Sequence, residues 1–330
     1  MKQISSFDQN IAWFLESGEP WTAYRARLDL LGQSEEDPAV QADRHTLLSH
    51  PRVKALIASA NSWPGYALRR HNDAAHPLYA VSTLADFGLR ASDPCLNEGI
   101  YSILVHQSAD GAFLTPINIP KAFGGTDEDQ WAWILCDTPT LLYSLLAMGT
   151  QNDPRVRAAV IHLAGLIQEN GWRCVASPVL GKFRGPGRKT DPCPIATLTA
   201  LKALSILPEY RNCQAAQQGA EAILNHWEHR SENKYYLFGM GTDFRKLKYP
   251  FIWYDLLHVA EVLSRLPFVR SERRFTQMIE ALMVQADSSD RFTASSMYQS
   301  WKGWSFADKK NPSPWLTFLV YRIFHRINNP

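Results

Sequence analysis

PIATLTALKALSIL, residues 194–207, reads as a helix with almost no polar face, opened by a proline. Proline suits the first helical position, because its fixed φ fits there and its missing N–H would have no partner anyway. The pattern recurs at Pro20 (PWTAYRARLDLLG), Pro77 (PLYAVSTLADFGL), Pro139 (PTLLYSLLAMG), Pro250 (PFIWYDLLHVAEVL) and Pro314 (PWLTFLVYRIF). In chain order the spacings are 57, 62, 55, 56 and 64 residues. Helices apolar on more than one face are buried nearly all round. An internal period of this length is a repeat, and repeats set architecture.

Between these segments lie helices with one apolar face, expected over 93–107, 153–169, 209–229 and 271–286. Further helices are expected over 5–16, 38–49 and 51–60. Connections from an apolar helix to its amphipathic follower are short. The returns are long: 108–138, 170–193, 230–249 and 287–313. Inner and outer helices alternating antiparallel would put all long loops at the end where the inner helices begin. The expected fold class is therefore all-α, an (α/α)6 toroid of about six helical hairpins in one domain over residues 1–330. Loops longer than about 12–15 residues are usually functional or disordered; these are rich in aromatics and placed charges.

Composition is ordinary for a globular chain, 45% apolar and 20% charged, and a net charge of +2 gives no pull toward nucleic acid or membrane surfaces. No apolar run reaches the roughly 18 residues of a membrane span. The start of the chain lacks the pattern of a signal peptide. Five cysteines without C-x-x-C spacing fit a reducing compartment. The expectation is a cytoplasmic protein without nucleic-acid partners.

The loops carry the candidate chemistry. Arg184, Arg188 and Lys189 precede Pro194; Arg245, Lys246 and Lys248 precede Pro250. Helix N-termini attract anions, so these cations read either as a basic rim that binds an anion or as solvated loop charges. Tyr249, Trp253, Tyr254 and Trp315 lie at the starts of inner segments, as a ligand-lining wall or as core filling. Asp191 and Cys193 could hold zinc with Asp255 and His258 of the next inner segment, since zinc accepts S, N and O donors; otherwise Asp191 caps a helix. Asp137 is a helix cap or a proton donor and acceptor. His76 is a further candidate for proton chemistry, or it caps or packs; it and His71 are not spaced as a helical metal pair. Asp127 or Asp129 could pair with Asp137 as facing carboxylates in a carbohydrate-active α/α barrel. The sequence has no nucleophile elbow, P-loop or dinucleotide fingerprint.

Gln107-x-x-x-Gly111-x-Phe113 and Gln168-x-x-Gly171-Trp172 resemble the repeat endings of the terpenoid cyclase and protein prenyltransferase toroids. The stretch Phe183 to Cys193 is similar, with a one-residue gap, to the prenyltransferase segment that meets diphosphate and binds zinc. The resemblance implies diphosphate on Arg188 and Lys189, and zinc on Asp191 and Cys193. The family's third ligand would fall near Asp255 and His258. Of the Asp-rich acid motif of the cyclases, only Asp137 remains, so cyclase activity is not expected. The chain also looks like the single-domain bacterial toroids of this superfamily. The expected ligand has an anionic, diphosphate-like head and an apolar body. A non-catalytic scaffold using the basic loops is the alternative.

Overall fold

Five of the six prolines begin helices in the computed structural model, which describes residues 6–183, 190–230 and 243–329. They open α2 (Pro20–Asp29), α5 (Pro77–Phe87), α7 (Pro139–Ala147), α9 (Pro194–Leu204) and α13 (Pro314–Asn328). Every residue of α5 and α9 is buried. The fifth repeat departs from expectation. Residues 250–255 are irregular, and α11 (Leu256–Leu263) starts only where the Asp255 carboxylate accepts the His258 N–H at 3.1 Å. An aspartate side chain is a far better N-cap than a tyrosine–proline junction.

The partly exposed helices are α1 (Phe7–Glu16), α3 (Pro38–Ser49), α6 (Asn97–Val105), α8 (Pro154–Gly165), α10 (Gln214–Glu228) and α12 (Arg273–Met283). A further helix, α4, spans Pro51–Asn61. The 108–138 loop holds a short antiparallel ribbon that the sequence reading did not anticipate, β1 (Thr115–Ile117) with β2 (Gln130–Ala132). The protein is otherwise all-α in its described residues, and no described helix is long and apolar enough to cross a membrane.

The chain forms two compact units: residues 1–56, 242–251 and 255–330, and residues 57–241 with 252–254. In the second unit α5 packs on α7 and α7 on α9, with α8 and α10 laid against this inner row. In the first unit α2 packs on α13 and α13 on α11, with α1, α3 and α12 outside.

The return from outer to inner helix is built alike in both units. After α8, Gln168 and Gly171 exchange backbone hydrogen bonds of 3.1 Å. The Trp172 N–H donates to Thr197 Oγ1 (3.1 Å), and the Cys193 N–H donates to the Trp172 carbonyl (2.8 Å). After α12, the Asp287 N–H donates to the Arg291 carbonyl and Phe292 N–H to Thr317 Oγ1, both at 2.9 Å. The Ser313 N–H then donates to the Phe292 carbonyl (2.9 Å). Each threonine lies three residues past its proline. Gly171 has φ +106°, and a Cβ there would sit 2.8 Å from that of Ala222. Asp290 takes the corresponding left-handed turn at φ +55°, which aspartate tolerates better than most residues. The Gln–Gly–aromatic repeat endings are thus devices of chain return.

Each unit also holds a buried charge cluster across three inner helices. In the second unit Asp86 of α5 accepts the Tyr143 hydroxyl of α7, and Lys202 Nζ of α9 lies 3.9 Å from Asp86 and 4.0 Å over the Tyr143 ring. In the first, Glu261 of α11 pairs with Arg265, with Arg322 and Arg326 of α13, and Arg322 reaches Asp29 at the end of α2.

Candidate functional site

The chemistry of the second unit gathers where α7 and α9 begin. Residues 133–135 run antiparallel to 175–177: Leu135 N–H donates to the Val175 carbonyl (3.0 Å), and Ser177 N–H to the Trp133 carbonyl (2.8 Å). Thr199 of α9 ties to this segment by donating its hydroxyl to the Leu135 carbonyl (2.9 Å). That pairing leaves Cys136 and Cys174 side by side, with sulfurs 3.8 Å apart. Cys193 is the residue before α9, held by its N–H to Trp172, and its sulfur is 4.0 Å from that of Cys136. All three sulfurs lie within 4.8 Å of one another, and none is in a disulfide. Cys136 and Cys193 are buried, Cys174 partly so. The neighbouring thiols and burial hold the Cys136 thiol well above its usual pKa. The Cys193 thiol is raised too; its bond with Cys136 pulls downward, but Cys174 and burial outweigh it.

Asp137 follows Cys136 and is 2% exposed. Its Oδ2 accepts from His71 Nδ1 at 2.7 Å. Its Oδ1 is buried and has no hydrogen-bond partner among the described residues. Burial pushes the His71 pKa down, but the charge and hydrogen bond of Asp137 prevail, with Cys174 adding, and raise it to about 9. The ring is therefore an imidazolium near neutral pH, and its side chain is 23% exposed. Tyr79 of α5 orients the loop by donating its hydroxyl to the His71 carbonyl (2.5 Å). Exposed Arg69 and Arg70 precede His71.

His76 is differently employed. Its Nδ1 accepts the Leu78 N–H (3.2 Å) as the cap of α5, and its Nε2 donates to the Tyr66 carbonyl (2.8 Å). Burial lowers its pKa. Both nitrogens fix the loop, which leaves neither for proton transfer.

The other predicted residues fall as follows. Arg184, Arg188 and Lys189 lie outside the described residues. Asp191 is half-buried just before Cys193. In the first unit, Asp255 is the cap of α11, and His258 stacks on Phe251 with centroids 4.8 Å apart. The described residues thus collect Cys136 and Cys174 around Cys193 as a group of potential metal donors. Arg245 is exposed, Lys246 is half-buried, and Lys248 Nζ lies 3.4 Å over the Tyr298 ring. Tyr249 and Trp315 are fully buried and meet edge-on at 5.6 Å, with Phe306 against Tyr249 at 4.8 Å. Trp253 and Tyr254, in irregular backbone of the second unit, stack tilted at 4.8 Å. Asp127 and Asp129 sit exposed between β1 and β2, Asp129 held by Asn118 (2.8 Å).

An apolar cavity of about 20 Å³ lies beneath Trp133, Leu135 and Thr138, room for about one water. A cleft of about 390 Å³ opens at the far end of α7 and α8, lined by Gln151, Arg157, Leu207 and Tyr210. It is distant along α7 from the residues just described, which begin that helix.

Sequence reasoning did not put Cys174 or His71 among the site residues. The available signal was positional: Cys136 and Cys193 both lie just ahead of an inner-helix proline.

No protein-family model matches the chain, and no curated protein matches it. Among solved structures, the crystal structure of a protein from Actinoplanes is similar over 94% of this chain and 89% of that one, at 15% identity and a TM-score of 0.40.

Proposed function

We propose that the protein is a prenyltransferase-like α/α toroid that binds a small ligand with an anionic, diphosphate-like head and an apolar body. The reading is supported by the order of inner helices in each unit, α5, α7 and α9 in the second and α11, α13 and α2 in the first.

His71 carries the reading of the ligand. Its Nδ1 is committed to a buried carboxylate, so Nε2–H is a charged donor with no partner among the described residues. It stands where α7 begins, with Arg69 and Arg70 before it in the chain. Charge-assisted donors beside helix N-termini are what phosphate oxygens bind. Asp137 Oδ1 supplies the one buried acceptor at this place for a hydroxyl or other donor of the ligand. The carbohydrate-active alternative lacks a second buried carboxylate here, since Asp127 and Asp129 are exposed.

Calorimetry of the full chain with inorganic diphosphate and with a short isoprenoid diphosphate tests this. Binding should weaken with salt. His71→Gln should reduce affinity about tenfold, the loss of one charge-assisted hydrogen bond. The isoprenoid compound should bind more tightly than diphosphate alone. Absence of binding, or equal binding by His71→Gln, would overturn the reading and leave the scaffold alternative, which the mutual packing of Tyr249, Phe306 and Trp315 favours.

A further inference from the structure

We propose that Cys136, Cys174 and Cys193 bind a zinc ion as three thiolates, leaving its fourth position to a small exogenous ligand. The first ground is metric. Zinc–thiolate bonds of about 2.3 Å at tetrahedral angles place sulfurs about 3.8 Å apart. Two of the three sulfur separations are 3.8 and 4.0 Å, and the third is within 4.8 Å. A disulfide needs sulfurs near 2.0 Å, and isolated core cysteines behave as small hydrophobes with no reason to converge.

The second ground is how the convergence is built. The three cysteines come from three separate segments, each fixed by its own backbone bonds: Leu135 to Val175, Ser177 to Trp133, and Cys193 to Trp172. Such a site needs only small side-chain movements to close on an ion.

The third ground is electrostatic. Three thiolates and one zinc leave a net charge of −1. Cys193 sits at the N-terminus of the 11-residue α9, and Cys136 lies three residues before α7, so two helix dipoles oppose that charge.

Softness selects the ion, since an all-sulfur donor set favours zinc over hard cations such as magnesium or calcium. Structural zinc sites are closed by four protein ligands, whereas catalytic ones keep a position open. Only three donors converge among the described residues. The fourth position is therefore assigned to water. Asp137, next in the chain, keeps a buried Oδ1 that can accept a hydrogen bond from that ligand.

The full-length protein, expressed with zinc and purified without chelator, should hold about one zinc per chain by elemental analysis. Exchange into cobalt should give a thiolate-to-metal charge-transfer band and the ligand-field bands of a tetrahedral site. Cys174→Ser, the substitution that disturbs packing least, should lose both signals; Cys95→Ser and Cys213→Ser should keep them. If Cys174→Ser does not fold, the wild type decides: stripping its metal with a chelator should speed alkylation of Cys174. A zinc-free wild type that takes up no cobalt overturns the proposal. So does zinc content unchanged in Cys174→Ser, alkylation indifferent to chelator, or a Cys136–Cys174 disulfide found by peptide mapping. His71→Gln should keep its zinc while losing anion affinity, so this inference and the ligand reading fail separately.

Discussion

Glu261→Gln should destabilise the first unit by about 3–5 kcal/mol, the usual consequence of removing one partner from a buried ion cluster. Glu261 is fully buried, with Arg265 at 3.0 Å, Arg322 at 2.8 Å and Arg326 at 2.9 Å from its oxygens. The amide keeps the shape but removes the charge. Three guanidiniums then lose the carboxylate they share, and the nearby Asp29, paired with Arg322, already holds Arg25. Arg326 softens the loss, because its side chain is 22% exposed and can turn toward water; we therefore expect the lower half of the range. The pH dependence gives a second signature. Burial pushes the Glu261 carboxyl up, but the charges of Arg322, Arg326 and Arg265 hold it far below its usual 4.5. A carboxylate depressed in the folded state contributes stability above its unfolded value and loses it as pH falls toward the folded one. Urea unfolding should thus show the full gap between wild type and variant at pH 7, narrowing below pH 4.5. A loss under about 1 kcal/mol, the size of a surface pair, or a gap constant with pH, would refute the reasoning.

Gly219→Ala should destabilise by about 1–3 kcal/mol through overpacking, although alanine ordinarily improves a helix by about 1 kcal/mol. Its Cβ would lie 2.6 Å from the Trp172 ring and 3.0 Å from Leu201; a stabilised variant in urea unfolding would show that α10 can move off α9. His226, 2% exposed, has its pKa lowered by burial from 6.5 to about 4. Between those values the unfolded chain binds the extra proton, so stability should fall by about 2 kcal/mol from pH 7 to pH 5. His226→Gln should abolish that component, and an unchanged slope would count against it.

How much of this was legible follows from the range of each interaction. Proline at a helix start is a local rule, and it placed α2, α5, α7, α9 and α13 to the residue. It failed at Pro250, where Asp255 is the stronger local signal five residues on. The Gln168–Gly171–Trp172 return was visible as a motif, whereas its counterpart was hidden because its turn is one residue longer, with Asp290 in the left-handed position and Arg291–Phe292 in the place of Gly171–Trp172. Cys193 drew notice through Asp191, its neighbour in sequence. Its spatial neighbours are 19 and 57 residues away, joined by pairing of 133–135 with 175–177 that no periodicity announces. His71 was invisible for the same reason, since its partner lies 66 residues on.

The two ends of the inner helices answer different physical demands. Toward their C-terminal ends, Asp86 with Lys202 and Tyr143, and Glu261 with its arginines, are charges whose counter-charges lie within 4 Å. Removing either cluster in favour of well-packed apolar side chains would leave a core that still folds, so these clusters act as fasteners that specify which helices meet. At the N-terminal ends of α7 and α9 the arrangement is unfinished. Three thiol sulfurs converge without a disulfide, a buried carboxylate keeps one oxygen unpartnered, and a cationic imidazole keeps one donor without a partner among the described residues. Folding alone selects against the unpartnered Asp137 oxygen, because a buried polar group left without a partner costs about 1–3 kcal/mol. The groups gathered there are three thiols, one acceptor and one cationic donor. Together they fit a metal ion and an anion better than they fit any further packing of the protein against itself.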